Sequence, residues 1–305
     1  MPPDTPRNVR RFMAIVRPKI AVFVKYEFWV NYLLAMKRAG TKLYLISSIF
    51  RDGQIFFRPY GGLFRSALRA FRHIFVQNDS SRNLLKSIGI EQVSVAGDTR
   101  FDRVYEIAQQ AKRLPEIERF AADAPVFIAG STWPPDEELL VGLIERYPDV
   151  KFIVAPHEID PARIEKFCER ISRPALRYTQ LTPQSDLAAA GVLFVDTIGI
   201  LSSIYRYGRW GYIGGGFGAG IHNTLEAATF GLPLAFGPRY GKFREARDLV
   251  TLRGAASIAS AEELERWFAG LHDDPDATGR SGTICKEYVL QHKGATARIM
   301  DEICR

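Results

Sequence analysis

The chain is poor in sulfur: it holds three cysteines, Cys168, Cys285 and Cys304, and none lies at a paired spacing. That argues against a disulfide framework and a cysteine-based zinc site, and it suits a reducing compartment in which all three thiols are inert. No apolar run approaches the roughly 18 residues needed to cross a bilayer, and no signal peptide is expected ahead of the first strand. A Walker A lysine, a G-x-S-x-G elbow, an H-E-x-x-H pair and a C-x-x-C pair are all missing. Kinase, hydrolase and metalloenzyme readings lose most of their weight with them. Compositional bias is missing too. With 47% hydrophobic and 25% charged residues, the chain is neither disordered, collagenous nor a coiled coil.

What is present begins with an uneven charge. Residues 1–113 carry 20 basic and 8 acidic side chains, whereas 114–305 carry 21 and 26, so the net +7 combines a +12 part with a −5 part. A basic part suggests phosphate, nucleic acid or an anionic membrane surface. No nucleic-acid motif accompanies it, so nucleic acid is not expected as a partner.

Short apolar runs alternate with helical stretches along both parts. The runs at 20–24, 42–47, 73–77 and 92–96 read as strands, with helices at about 28–39, 60–72 and 80–88. Six more strands are expected at 125–129, 151–155, 192–195, 209–213, 232–236 and 255–258. Continuous apolar strands separated by helices predict an α/β fold with parallel sheets covered on both faces. A length of 305 residues suits two such domains. The expected division is a smaller or incomplete Rossmann-like domain at 1–97 and a connector at 98–124. A doubly wound domain at 125–284 and a C-terminal helix at 285–305 follow.

The most informative turn is 209–226, RWGYIGGGFGAGIHNTLE, with five glycines between Gly214 and Gly220. Glycines after a strand let backbone N–H groups approach an anion, and the opening of a helix adds positive partial charge. That geometry suits a phosphate; the plain alternative is a tight strand–helix turn. The stretch fits the dinucleotide fingerprint loosely, but the next strand lacks the acid that a nicotinamide site wants. Glu226 could accept hydrogen bonds from ribose hydroxyls, or be an ordinary first-turn glutamate. Two further polar turns follow strands: Ser131-Thr132-Trp133, where helix capping alone would suffice, and His157-Glu158. In the basic part, Arg65, Arg69 and Arg72 are expected on one helix face near Arg58, as on a helix lying on an anionic membrane or one with a solvated basic face. Glu27, Trp29 and Asn31 form a further candidate sugar contact.

Together these segments resemble the bacterial 3-deoxy-D-manno-octulosonic acid (Kdo) transferase family of lipopolysaccharide assembly. The pieces that carry the resemblance are RPKIAVFVKYEFWVN, GDTRFDRV, GSTWPPDEE, APHEID, GGGFGAGIHNTLEAATFGLP and FGPRYGKFREA, in the family's order. The resemblance implies a two-domain GT-B glycosyltransferase that moves Kdo from CMP-Kdo to a lipid A precursor. It would act at the cytoplasmic face of the inner membrane, with inversion and without metal or cofactor. Residue by residue, it implies donor binding by Ser131, Thr132, His157, Glu158, Gly215, Gly216, Gly218, His222, Asn223 and Glu226. Glu27, Trp29 and Asn31 match an acceptor-side motif; Arg58, Arg65, Arg69 and Arg72 would face the membrane. The family's usual histidine is Trp133 here. The family also carries a longer N-terminal part with an anchor and a glycine-glutamate motif supplying the catalytic base, so the chain reads as a shortened and impaired member with no catalytic residue of its own. The alternatives are another GT-B enzyme or epimerase using UDP, and an inactive membrane-docking protein.

Overall fold

The computed structural model describes residues Met1–Cys304, which divide into two compact units. The first comprises Met1–Asp102 and the segment from His292 onward; the second is Arg103–Gln291.

In the first unit, strands β1 (Ile20–Val24), β2 (Lys42–Ser48), β3 (His73–Val76) and β4 (Val93–Val95) form a parallel sheet in sequential order. Alternation along β2 sends Leu43 and Leu45 to one face and Tyr44 and Ile46 to the other. The first face packs with Phe23, Tyr32, Leu33, Ile74 and Leu85, and the second with Phe75, Ala96 and Ile299. Ile299 lies on the helix Ala295–Ile303, so the end of the chain covers the second face. Asp102 fastens it: Oδ1 accepts from the N–H of Gly294 at 2.6 Å and Oδ2 from the N–H of Thr296 at 3.0 Å. Arg298 donates to the carbonyl of Ala96 at 2.7 Å.

The second unit carries β5 (Val126–Thr132), β6 (Lys151–Pro156), β7 (Ala175–Arg177), β8 (Val192–Phe194), β9 (Trp210–Ile213), β10 (Leu234–Phe236) and β11 (Ala255–Ser257). Their order across the parallel sheet is β11-β10-β9-β5-β6-β8-β7. From β5 the chain passes to β6, jumps to the edge as β7 and returns as β8 between them, then crosses to β9 and winds outward through β10 and β11. The junction of β5 and β9 is therefore the switch point, where the loops after the strands part and leave a crevice.

Several expectations need correction. The second sheet has seven strands, because Ala175–Arg177 adds an edge strand. A helix at Pro6–Val16, capped by Thr5, precedes the first strand. The segment 98–124 holds two helices, Thr99–Gln109 and Pro115–Ala121, and the change of unit falls inside the first of them. The tail is two helices, Pro275–His292 and Ala295–Ile303, not one beginning at 285. Among the described residues no helix is long and apolar enough to cross a membrane.

Candidate functional site

Three loops meet at the switch point of the second sheet. Near the end of β5 the backbone takes a positive φ at Ser131 (54°), and the helix Pro134–Arg146 begins two residues after Thr132. Asp136, 1% exposed, turns back across this start. Its Oδ2 accepts from the N–H of Trp133 and from the N–H of Gly215, each at 2.9 Å. Its Oδ1 accepts from the Tyr212 hydroxyl at 2.8 Å. One carboxylate thus ties the loop after β5 to the glycine turn after β9. The charge of Asp136 and burial together push the Tyr212 hydroxyl upward, burial being the larger cause.

The glycines answer to this crowding. A Cβ on Gly214 would sit 2.1 Å from the carbonyl oxygen of Ser131. Gly215 has φ +91° and lies against the carbonyl of Gly220, a conformation that side chains oppose. Gly218 has room for a side chain. The carbonyls of Gly216 and Gly218 accept from Arg239, at 2.9 Å from its backbone N–H and 2.7 Å from its guanidinium. Among the described residues no group accepts from the N–H of Gly216 or Phe217.

The loop after β6 joins through His157, whose N–H donates to the carbonyl of Thr132 at 2.9 Å. Its ring stacks on Trp133 at 5.0 Å and on His222 at 4.2 Å. Trp133 Nε1 donates to His222 Nε2 at 3.0 Å. Burial, then the neighbouring His157, hold the His222 imidazole below its ordinary pKa, with Asp136 opposing them. Behind this cluster the Thr132 hydroxyl donates to Glu137 at 3.0 Å, and Arg163 pairs with Glu137 at 3.5 Å. Burial raises the Glu137 carboxyl against both partners. The helix after the glycine turn is Thr224–Thr229, capped by Asn223 through the N–H of Leu225. Asn223 also donates to Glu226 at 2.9 Å.

The structure therefore brings together Ser131, Thr132, His157, Gly215, Gly216, His222, Asn223 and Glu226 on three loops of one unit. Glu158 enters only through its carbonyl, which accepts from Arg163 at 2.7 Å. Asp136, Tyr212 and Arg239 were not singled out from sequence. Asp136 had a visible signal, an acid at a helix start after a strand, but capping explained it.

The first unit holds the other candidates. Glu27 accepts from Trp29 Nε1. The Asn31 side chain donates to the carbonyl of Asp4 at 2.9 Å and its N–H to the Asp4 carboxylate at 3.1 Å. Asn31 opens the helix Val30–Arg38 whereas Glu27 precedes it, so the two do not share a helical turn. A second polar cluster escaped sequence reading. Asp98, 4% exposed, accepts from Gln77 at 3.1 Å and Arg100 at 2.9 Å, and pairs with Lys25 at 3.4 Å. Lys25 and Ser47 both have positive φ, the kind of strain that gathers at functional sites. The expected basic helix face is not found. The helix ends at Leu68, leaving Arg69 at its cap and Arg72 beyond. Arg65 donates to the carbonyls of Phe56, Arg58 and Pro59. Arg58, Arg69 and Arg72 are exposed.

Residues 1–103 match the family model described as 3-deoxy-D-manno-octulosonic-acid transferase (kdotransferase). The 3-deoxy-D-manno-octulosonic acid transferase of Bordetella pertussis is 25% identical over 99% of this chain and 73% of its own length. That of Aquifex aeolicus is 24% identical over 84% of this chain and 66% of its own length. The chain is similar to the Kdo transferases along nearly its whole length. The enzyme class expected from sequence, glycosyltransferase, is the class for which these Kdo transferases are named. Solved structures agree on the fold. The C-terminal CMP-Kdo binding domain of WaaA from Acinetobacter baumannii matches with a TM-score of 0.51 at 22% identity, over 62% of this chain and 99% of that domain. A UDP-GlcNAc 2-epimerase from Neisseria meningitidis matches with a TM-score of 0.69 at 15% identity, over 98% of this chain and 79% of its own. The fold is the expected GT-B type, with two parallel α/β units.

Proposed function

We propose that the chain is a Kdo glycosyltransferase of lipopolysaccharide assembly, using CMP-Kdo as donor and a lipid A precursor as acceptor. The observation that carries the donor assignment is the joining of the loops after β5 and β9 by Asp136 and the Trp133–His222 pair at the switch point, with the loop after β6 added through His157. In this reading the N–H groups of Gly216 and Phe217 face the nucleotide phosphate, as orphan amides suit an anion. Glu226, held by Asn223, accepts from ribose hydroxyls. An acceptor hydroxyl gives its proton to a general base and attacks the anomeric carbon of Kdo as the bond to the CMP phosphate oxygen breaks and CMP leaves, which inverts that centre. No metal is assigned to this step. The acceptor side lies in the first unit, with Glu27 and Trp29 as sugar contacts. Exposed Arg58, Arg69 and Arg72 meet the anionic surface of the inner membrane at its cytoplasmic face; Arg65 is committed to the turn that it ties.

A nucleotide comparison tests the donor assignment. CMP is expected to raise the melting temperature of the intact protein, because a ligand that binds only the folded state stabilises it. UDP is expected to raise it much less. An absent CMP shift would remove the donor assignment, and a larger shift with UDP would favour the UDP-using alternative.

A further inference from the structure

The Trp133–His222 pair has a chemical consequence beyond joining two loops. Indole Nε1–H is a donor with no acceptor capacity, so the His222 Nε2 that it meets at 3.0 Å must present a lone pair. The two rings lie only 10° apart in plane, which aims the N–H along the in-plane lone pair of the imidazole. His157 covers both rings. The charged and titratable groups acting on His222 are His157 and Asp136; burial and His157 favour the neutral ring, Asp136 the charged one. In a neutral imidazole whose Nε2 accepts, the proton resides on Nδ1. Among the described residues nothing accepts from that Nδ1. The His222 ring lies against the glycine turn at Gly215, its Cδ2 2.9 Å from where a Cβ would stand.

We infer that Trp133 is a positioning residue that locks His222 in its Nδ1–H tautomer and so makes it a neutral hydrogen-bond donor to a phosphate oxygen bound at the glycine turn. A side chain at 133 able both to donate and to accept would leave the tautomer of His222 open; the indole, which only donates, removes that freedom. The tautomer stands on the Trp133–His222 geometry alone; the phosphate acceptor rests on the donor-site reading above.

The test has two arms on the full chain. Long-range proton–nitrogen NMR of the 15N-labelled protein reads the tautomer without any ligand, with the His222 signals assigned by their loss in His222→Gln. The expected spectrum shows a pyridine-type Nε2 and a pyrrole-type Nδ1; a protonated Nε2 overturns the inference. Trp133→Phe keeps a ring but removes the N–H, and it is expected to shift the population toward Nε2–H. No change in that variant also overturns the inference, and should it fail to fold, the wild-type spectrum decides. In the second arm CMP and cytidine are titrated into both proteins. Trp133→Phe is expected to weaken CMP about tenfold, the scale of one hydrogen bond to a charged group, with cytidine unaffected. Equal losses for CMP and cytidine would overturn the phosphate contact. Absence of CMP binding to the wild type removes the donor-site reading and the phosphate contact with it, while the tautomer is still decided by the spectrum.

Discussion

The carboxylate of Asp136 accepts from the N–H of Gly215, a residue 79 positions away, at 2.9 Å. The same carboxylate serves Trp133 and Tyr212. Asp136→Ala leaves three donors without their acceptor in a buried place. We expect a loss of about 3 kcal/mol in urea unfolding, since each stranded buried donor costs roughly 1–3 kcal/mol and solvent entry relieves part of it. CMP affinity should fall in the same variant. An unfolding curve within about 0.5 kcal/mol of wild type would show that the two loops do not depend on this bridge.

The glycine turn divides into positions that need glycine and one that does not. Gly215→Ala forces a Cβ into a φ of +91° and to 2.6 Å from the carbonyl of Gly220. It is expected to destabilise by about 1–3 kcal/mol and to lower CMP binding. Gly218→Ala meets nothing closer than 3.6 Å and should leave the melting temperature within about 2 °C of wild type. Equal effects from the two substitutions would contradict the geometry.

Glu226 is tied to Asn223 at the surface and to little else. Glu226→Ala should therefore change stability by less than about 0.5 kcal/mol. The thermal shift produced by CMP should vanish all the same. A normal CMP shift in this variant would take Glu226 out of the ribose site.

Thr224 has a hydroxyl oxygen that is buried without a hydrogen-bond partner. Thr224→Val keeps the shape and removes the stranded group, so a gain of about 1 kcal/mol in urea unfolding is expected. A loss would mean that the hydroxyl has a partner in solution.

His272 lies between Asp273 and Asp149, at 3.0 and 2.8 Å. The hydrogen bond to Asp273, with further help from Asp149, raises its pKa above the ordinary 6.5 against the effect of burial. A raised histidine binds its proton more tightly in the folded state, so the contribution is full below about pH 6.5 and fades as pH rises through the raised value. The stability difference between wild type and His272→Gln should shrink as the pH rises above about 6.5. A difference that is flat with pH would exclude the ion pairs as its source.

Ten of the eleven strands were legible because parallel strands covered on both faces are continuous apolar runs, as in Val126–Ala129 and Phe152–Ala155. The missing one, Ala175–Arg177, is three residues long, half-buried throughout and at a sheet edge, so it carries no run to read. The helix Pro6–Val16 went unread although Thr5 and Pro6 stand at its start and Val9, Phe12 and Met13 recur at helical spacing; it is short, strongly basic on its other face, and buries only Val9 fully. In the site, the glycine turn and its histidine were visible since their signal is local. The Trp133–His222 bond spans 89 positions, and no local pattern encodes a contact of that reach. Arg65 shows the converse: a basic residue read as a surface charge is used up by three carbonyls of the turn that precedes its helix.

Asp102 holds Gly294 across 192 positions, and everything between them, apart from the helix ends, is the second unit. On the ribosome, residues 292–304 emerge only after that entire unit has been made. The first unit, started first, is thus the one finished last. Until then its second face, with Tyr44 and Phe75, stands without Ile299, a sticky surface that a nascent chain must keep covered or away from its neighbours.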